Sequence, residues 1–321
     1  MDYDIINQVY EEIIGIVNDY TRRKNCEYEV ARKLSFSLLG YYLVFGPEIF
    51  SKLNVLLDSV NIYECISEED YRERAFEVAP RLRENQNVFR YNPITIWDYK
   101  YDDEKNFLGG IPNVIYMKEE LTIDNVLSIV HELSHGLEGV SASIISEDEN
   151  TVFVNQGFTC IGINKETNRF RADDSGFIEL MATSLENRVL NALLKLEAKK
   201  ISSPLLKEFL EEIKTYKGKN VMTKSYDRLN VTFKDFIDND AFYNLVKKYF
   251  YENDEEGFKV EYESYDSRLN YRTLKSAAQF LASDLEDIST VLYYSEIIMK
   301  HAQLFGKATD FEPDKKLLIL V

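Results

Sequence analysis

The chain has 321 residues, and 45% of them are hydrophobic, which is enough to fill the core of one large domain or two smaller lobes. Its 55 acidic residues outnumber its 38 basic residues and give a net charge of -17, which repels phosphate backbones and anionic membrane surfaces. We therefore expect neither a nucleic acid nor a membrane as a partner.

The cysteines and the first residues bear on the compartment. Cys26, Cys65 and Cys160 are odd in number and far apart, without a CxxC pair, so we expect reduced thiols. The opening MDYDIINQVYEE lacks the basic and apolar regions of a secretion signal. No apolar run approaches the roughly 20 residues of a membrane helix. The expectation is a cytoplasmic protein, and the sequence does not indicate its oligomeric state.

The first part of the chain has the pattern of helices. Apolar residues recur at spacings of three and four over residues 3–86, and Pro47 stands where a helix can begin. The run SEED at 67–70 resembles a capping box. We expect an N-terminal helical lobe over residues 1–108, followed by a catalytic region with C-terminal helices over residues 109–321.

The middle of the chain changes texture. Aromatic and β-branched residues over 88–117 predict strands, and a helix follows at 123–136. A hairpin is expected over 151–172, with its turn at NKETN, and helices from 176 to about 306. The apolar KKLLILV at the C-terminus predicts a packed strand or tail. The expected fold class is mainly α (α+β), with a small antiparallel sheet next to the helix at 123–136.

The stretch HELSH at 131–135 carries the most specific chemistry. The chain has three histidines, and two of them, His131 and His135, stand four residues apart, so a helix aims both imidazoles at one metal ion. Glu132 then lies beside that ion, where a carboxylate can take a proton from a zinc-bound water and pass it to a leaving amine. The motif supplies two ligands and a base in one turn.

The residues around HELSH fit a helix that packs on a core. Asp124 can cap its start, and NVIYM at 113–117 can form an edge strand that binds an extended peptide by main-chain pairing. The core stripe of this helix is expected to comprise Val126, Val130, Leu133 and Leu137.

A third metal ligand has to come from elsewhere in the chain. The metzincin pattern requires Gly and His at positions that are Glu138 and Ser141 here, so that class is excluded. His301 is one source, but a carboxylate on a second helix is the more usual partner. The helix predicted from residue 175 offers Glu179 as the ligand and Glu186 as a group that accepts the free N–H of a ligand histidine.

These two segments resemble a known family. HELSH followed by GFIELMATSLEN is similar to the zinc site of the gluzincins, particularly the thimet oligopeptidase and oligoendopeptidase F group. The resemblance implies a helical zincin-like fold with a deep cleft, one Zn²⁺ per chain on His131, His135 and Glu179, and Glu132 as general base. It implies hydrolysis of short peptides. A thermolysin-like or toxin-like gluzincin, with Glu179 in the same role, matches nearly as well.

A zinc peptidase commonly adds a donor that shares the charge of the oxyanion with the metal. The sequence does not choose among the candidates near the C-terminus, which are Tyr265, Tyr271, Tyr293, Tyr294 and His301.

The leading hypothesis is a zinc metallopeptidase that acts on a peptide or protein substrate. One alternative is a noncatalytic zinc-bearing helical binding protein, in which the metal joins two helices. An intact Glu132 counts against it, because a structural site needs no base and closes its fourth position with another ligand. The other alternative is an acidic helical interaction protein without a metal.

Overall fold

The fold is known from a computed structural model of the chain. The structure describes residues 2–26, 28–84, 93–102, 107–119, 121–139, 143–147, 151–156, 159–164, 170–173 and 175–215. The helices predicted beyond residue 215, the C-terminal KKLLILV and the predicted turn at 165–169 lie outside these residues. In the described part the protein is mainly helical and has two small sheets, which confirms the coarse fold class.

The described chain begins with three helices: α1 at Tyr3–Lys24, α2 at Tyr28–Phe45 and α3 at Ile49–Ser59. Asp2 caps α1 by accepting a hydrogen bond from the backbone N–H of Asp4 at 3.0 Å. The residue that follows the helix, Asn25, is its C-cap and has a left-handed φ of 53°, as is common where a helix stops. Helices were predicted here throughout, and this prediction holds as far as residue 59.

Strand β1, at Asn61–Cys65, interrupts the region that was predicted to be entirely helical. That prediction is wrong at NIYEC, where a five-residue stretch is too short to show the period of a strand clearly. Helix α4 follows at Glu68–Val78, and Ser67 caps it by accepting from the N–H of Asp70 at 3.1 Å. The Asp70 carboxylate in turn accepts from the N–H of Ile66, one residue before the N-cap, so SEED forms a variant of the capping box.

Strand β2 at Ile94–Tyr101 and strand β3 at Phe107–Met117 complete the first sheet. Its order is β1-β3-β2; β2 is antiparallel to β3, but β1 is parallel to it. The predicted antiparallel sheet is therefore a mixed one, because β1 was not foreseen. NVIYM lies in the central strand β3, so the prediction that it forms an edge strand is wrong. Within the described residues, the two edges of this sheet are β1 and β2.

The two faces of this sheet pack on different helices. Tyr63, Cys65 and Ile115 lie in a cluster with Tyr71 of α4. The alternate residues Ile62, Val114 and Tyr116 join the main hydrophobic core. Strand residues alternate between the two faces, so the sheet is covered by α4 on one side and by the main helices on the other.

Helix α5, at Ile123–Gly139, carries HELSH. Its start is capped by Thr122 and Asn125, whose side chains each accept from the other's backbone N–H, so Asp124 is a first-turn acid and not the cap. The expected stripe on α5 is buried and comprises Val126, Val130, Leu133 and Leu137. Helix α2 lies behind α5, where Ser37 Oγ donates to Val126 O at 3.0 Å and Tyr41 Oη donates to Val130 O at 2.7 Å.

Helix α6, at Ser175–Leu194, confirms the helix predicted after the hairpin region. It packs on α2 at Gly40, where a Cβ atom would lie 2.4 Å from Cγ1 of Val189. Glycine is thus the residue that lets the two helices approach. Helix α7 follows at Pro204–Ile213, capped by Ser203.

A second sheet stands between α5 and α6 in sequence. It is an antiparallel meander of four strands, which is more than the single predicted hairpin. The strands are β4 at Ser143–Glu147, β5 at Thr151–Gln156, β6 at Thr159–Asn164 and β7 at Phe170–Asp173.

One hydrophobic cluster includes residues of α1, α2, α3, α5, α6 and α7, so segments on both sides of residue 108 share a core. The division of the chain at residue 108 stays a prediction. None of the described helices combines the length and the apolar character that crossing a bilayer requires.

Candidate metal and catalytic site

The two histidines of HELSH lie on the same side of α5. Their ring centroids are 4.9 Å apart and the rings are inclined at 79° to each other. His131 is buried and His135 is partly exposed. This is the arrangement that the spacing of four residues predicts, and it lets both rings face one point beside the helix.

Helix α6 brings a carboxylate to the first histidine. Nδ1 of His131 lies 2.8 Å from Oε1 of Glu186, and both side chains are buried. A carboxylate accepts hydrogen bonds, so Nδ1 of His131 is the donor in this contact. A ligand histidine commonly donates its second N–H to a carboxylate in this way.

Glu132 points to the sheet and is 5% exposed. Its Oε2 accepts from Oγ1 of Thr95 on β2 at 2.7 Å, and the same hydroxyl lies 3.0 Å from the backbone carbonyl oxygen of Glu132. Sequence reasoning missed Thr95. The signal available was the alternation in ITIWDY, which puts one polar side chain between two apolar ones on a predicted strand next to the HELSH helix.

The electrostatic surroundings of Glu132 include a buried phenol. Burial, and to a smaller extent the negative charge of Glu132, raise the pKa of Tyr71 far above its usual range. Tyr71 of α4 is fully buried on the other face of the sheet. The phenol therefore stays neutral at ordinary pH.

The fourth position of the HELSH motif is Ser134, whereas the thimet oligopeptidase and oligoendopeptidase F group, which the motif resembles, usually has glycine there. Ser134 is fully buried, and its Oγ donates to the carbonyl oxygen of His131 at 2.6 Å. The hydroxyl is thus satisfied inside the helix, so a serine is accommodated. The next residue but one, Gly136, allows a close approach of α3, since a Cβ there would lie 2.8 Å from Cδ1 of Leu56.

The donors present suit a zinc ion. Two imidazoles share one side of α5, and one of them is oriented by a buried carboxylate. One turn before Glu186 on α6, the fully buried Oγ1 of Thr183 has no hydrogen-bond partner in the described part of the chain. A buried hydroxyl in this state is normally satisfied by a polar group or by water.

The third ligand is the part that the structure leaves open. Glu179 lies in α6, seven residues before Glu186, and its side chain is outside the part of the chain that the structure describes. Among the side chains that are described, no group of three His, Cys, Asp or Glu is placed to hold a metal ion. The roles of Glu179, Glu186, His131 and His135 at a metal thus stay predictions.

The candidates for the oxyanion donor all lie beyond residue 215, outside the described residues. They are Tyr265, Tyr271, Tyr293, Tyr294 and His301.

Comparisons with known proteins add no relative. No family model matches the chain, no curated protein is significantly similar to it, and no solved structure matches its fold.

Proposed function

We propose that the protein is a zinc-dependent metallopeptidase of the gluzincin type, with a zincin-like fold. The observation that carries the proposal is the contact of 2.8 Å between His131 Nδ1 and Glu186 Oε1, because it orients one imidazole of an HExxH motif as a metal ligand is oriented. His131, His135 and Glu179 are the residues that would hold the ion. A bound zinc ion supplies a Lewis acid that polarises a peptide carbonyl and acidifies water.

Glu132 and Glu186 have different roles in the proposed reaction. Glu132 takes the proton of the attacking water and delivers it to the nitrogen of the leaving amine. Glu186 fixes the ring and the tautomer of His131. The burial of Glu132 keeps bulk water from competing for its carboxylate and strengthens its interactions with charges that develop nearby.

The proposed substrate is an extended peptide or a protein segment. Strand β2 is an edge of the first sheet and touches α5 through Thr95, so a peptide can pair with its main chain beside Glu132. The net charge of -17 favours basic segments by attraction at long range. A cytoplasmic location belongs to the same proposal.

The test is cleavage of a defined peptide pool, followed by mass spectrometry, with wild-type protein and Glu132→Gln. The variant is expected to bind zinc like the wild type and to lose hydrolysis. Glu69→Gln, a change at an exposed acid in the first turn of α4, is the control and should leave cleavage unchanged. A chelator should abolish the wild-type activity and added zinc should restore it. Cleavage by Glu132→Gln at the wild-type rate would overturn the mechanism.

The same experiment separates the proposal from a noncatalytic zinc protein, in which the ion only joins α5 and α6. Zinc that raises the melting temperature of the wild type without turnover of any peptide in the pool would favour that second function.

A further inference from the structure

Thr95 joins the edge strand of the sheet to the residue proposed as the base. It lies on the face of β2 that is turned to α5, since its neighbours Ile94 and Ile96 belong to the opposite cluster with α4. Its Oγ1 lies 2.7 Å from Glu132 Oε2 and 3.0 Å from Glu132 O. One hydroxyl therefore contacts both ends of the same residue.

This double contact restrains the conformation of Glu132. A glutamate side chain has three rotatable bonds and loses considerable rotamer freedom when it is held in one place. A hydroxyl that reaches both the carboxylate and the main-chain oxygen fixes the carboxylate relative to the axis of α5. The position of the carboxylate is then set by the strand and not by the helix alone.

Two other hydroxyls contact α5 in a different way. Ser37 and Tyr41, both on α2, each donate to a backbone carbonyl of α5 at Val126 and Val130. Neither of those hydrogen bonds involves the carboxylate of Glu132. The hydroxyls of Ser37 and Tyr41 thus attach α5 to α2, whereas the hydroxyl of Thr95 also contacts the carboxylate of Glu132.

We propose that Thr95 is a positioning residue that holds the carboxylate of Glu132 at a fixed position relative to the peptide bound along β2. The inference rests on the proposed function. Because the hydroxyl and the substrate are held by the same strand, the base keeps its distance to the scissile bond when the strand and α5 shift relative to each other. A misplacement of about 1 Å costs a rate factor of roughly 100 in such sites.

The kinetic test compares Thr95→Val, Thr95→Ser and Ser37→Ala in their zinc-loaded forms. Thr95→Val should lower kcat about tenfold to a hundredfold, with KM and zinc content near the wild-type values. Thr95→Ser should recover most of kcat, because it keeps the hydroxyl. Ser37→Ala should keep kcat, since it removes contacts to the backbone carbonyls of Lys33 and Val126 and none to Glu132. If the valine variant does not fold, Thr95→Ala is compared with Thr95→Ser instead. A wild-type kcat in the variant without a hydroxyl would overturn the proposal.

A second readout does not depend on turnover. Unfolding in urea is measured for Thr95→Val, Glu132→Ala and the double variant, all without added metal. The loss of unfolding free energy in the double variant should be smaller than the sum of the losses in the two single variants, because each substitution removes the same contact. Additive effects would overturn the contact and with it the proposal. A wild type that binds zinc but cleaves nothing would refute the proposed function, and a non-additive cycle would then still report the contact itself.

Discussion

Nδ1 of His131, on α5, lies 2.8 Å from Oε1 of Glu186, on α6. This contact joins two helices that are separated in the chain by the whole second sheet. Both side chains are almost fully buried. A buried carboxylate is costly unless it is paired and hydrogen-bonded, so this contact holds the two helices in one arrangement. In the proposed zinc site, the ligand atom of His131 is therefore Nε2.

Removal of Glu186 should weaken zinc binding. Glu186→Ala leaves His131 without the acceptor that orients its ring, and such partners contribute about 10- to 100-fold to metal affinity. Competition with a fluorescent zinc chelator measures the dissociation constant. Glu197→Ala, at an exposed acid just after α6, is the control. Equal zinc affinity in Glu186→Ala and wild type would contradict the role of Glu186.

The position of α6 depends on a glycine of α2. A Cβ at Gly40 would overlap the Val189 side chain, so Gly40→Ala should destabilise the protein by about 1 to 3 kcal/mol and displace α6 from α5. Gly15→Ala is the matched control, because in the described part of the chain a Cβ there, in the middle of α1, meets nothing within 4 Å apart from the adjacent backbone of its own helix. That variant should gain about 0.5 to 1 kcal/mol from helix propensity. Urea unfolding of both variants measures the sign of the change in unfolding free energy. Equal changes in the two variants would refute the close approach at Gly40.

A buried ion pair ties α2 to β1. Lys33 Nζ lies 2.7 Å from Glu64 Oε1 and donates to Glu119 O at 2.9 Å, and both charged side chains are buried. Lys33→Met leaves the buried carboxylate of Glu64 with only the longer contact to Lys118, at 3.9 Å, and should cost about 3 to 5 kcal/mol of unfolding free energy. Adding Glu64→Leu to Lys33→Met should recover much of that loss. Melting of the single and double variants provides the comparison; a double variant as unstable as the single one would argue against the pair.

The thiol of Cys65 predicts a dependence of stability on alkaline pH. Burial raises the pKa of Cys65 from its ordinary value near 9 to about 11. Between these values the folded state holds a proton that the unfolded state has lost, so stability falls as pH rises. The contribution is complete below pH 9, is lost above pH 11 and amounts to about 2 to 3 kcal/mol.

The measurement is the free energy of unfolding in steps from pH 8 to pH 11. The wild type should lose stability more steeply than Cys65→Ala over this range. Parallel curves would show that the thiol does not contribute.

The elements with a strong period could be predicted from the sequence. The helix that carries HELSH and the helix that carries Glu186 show apolar stripes of the helical period over 17 and 20 residues, and both are present. The approach of Glu186 to the motif was expected for the same reason, because a carboxylate beside a buried stripe faces the neighbouring helix.

Other features depend on contacts that no local pattern contains. Strand β1 is only five residues long and owes its conformation to parallel pairing with β3, which lies 52 positions later in the chain. The order β1-β3-β2 follows from that pairing, so the edge strand next to α5 could not be identified from NVIYM. Thr95 was missed because its importance comes from its partner, Glu132, 37 residues away.

The most direct test of the zinc site is the metal content per chain, measured by plasma mass spectrometry on wild type and on Glu179→Ala after incubation with zinc and removal of the excess. We expect about one zinc per wild-type chain and much less in the variant. Equal zinc in both proteins would assign the third ligand to another residue, such as His301. No zinc in either protein would contradict a metal site on His131 and His135, and with it the proposed role of Glu132.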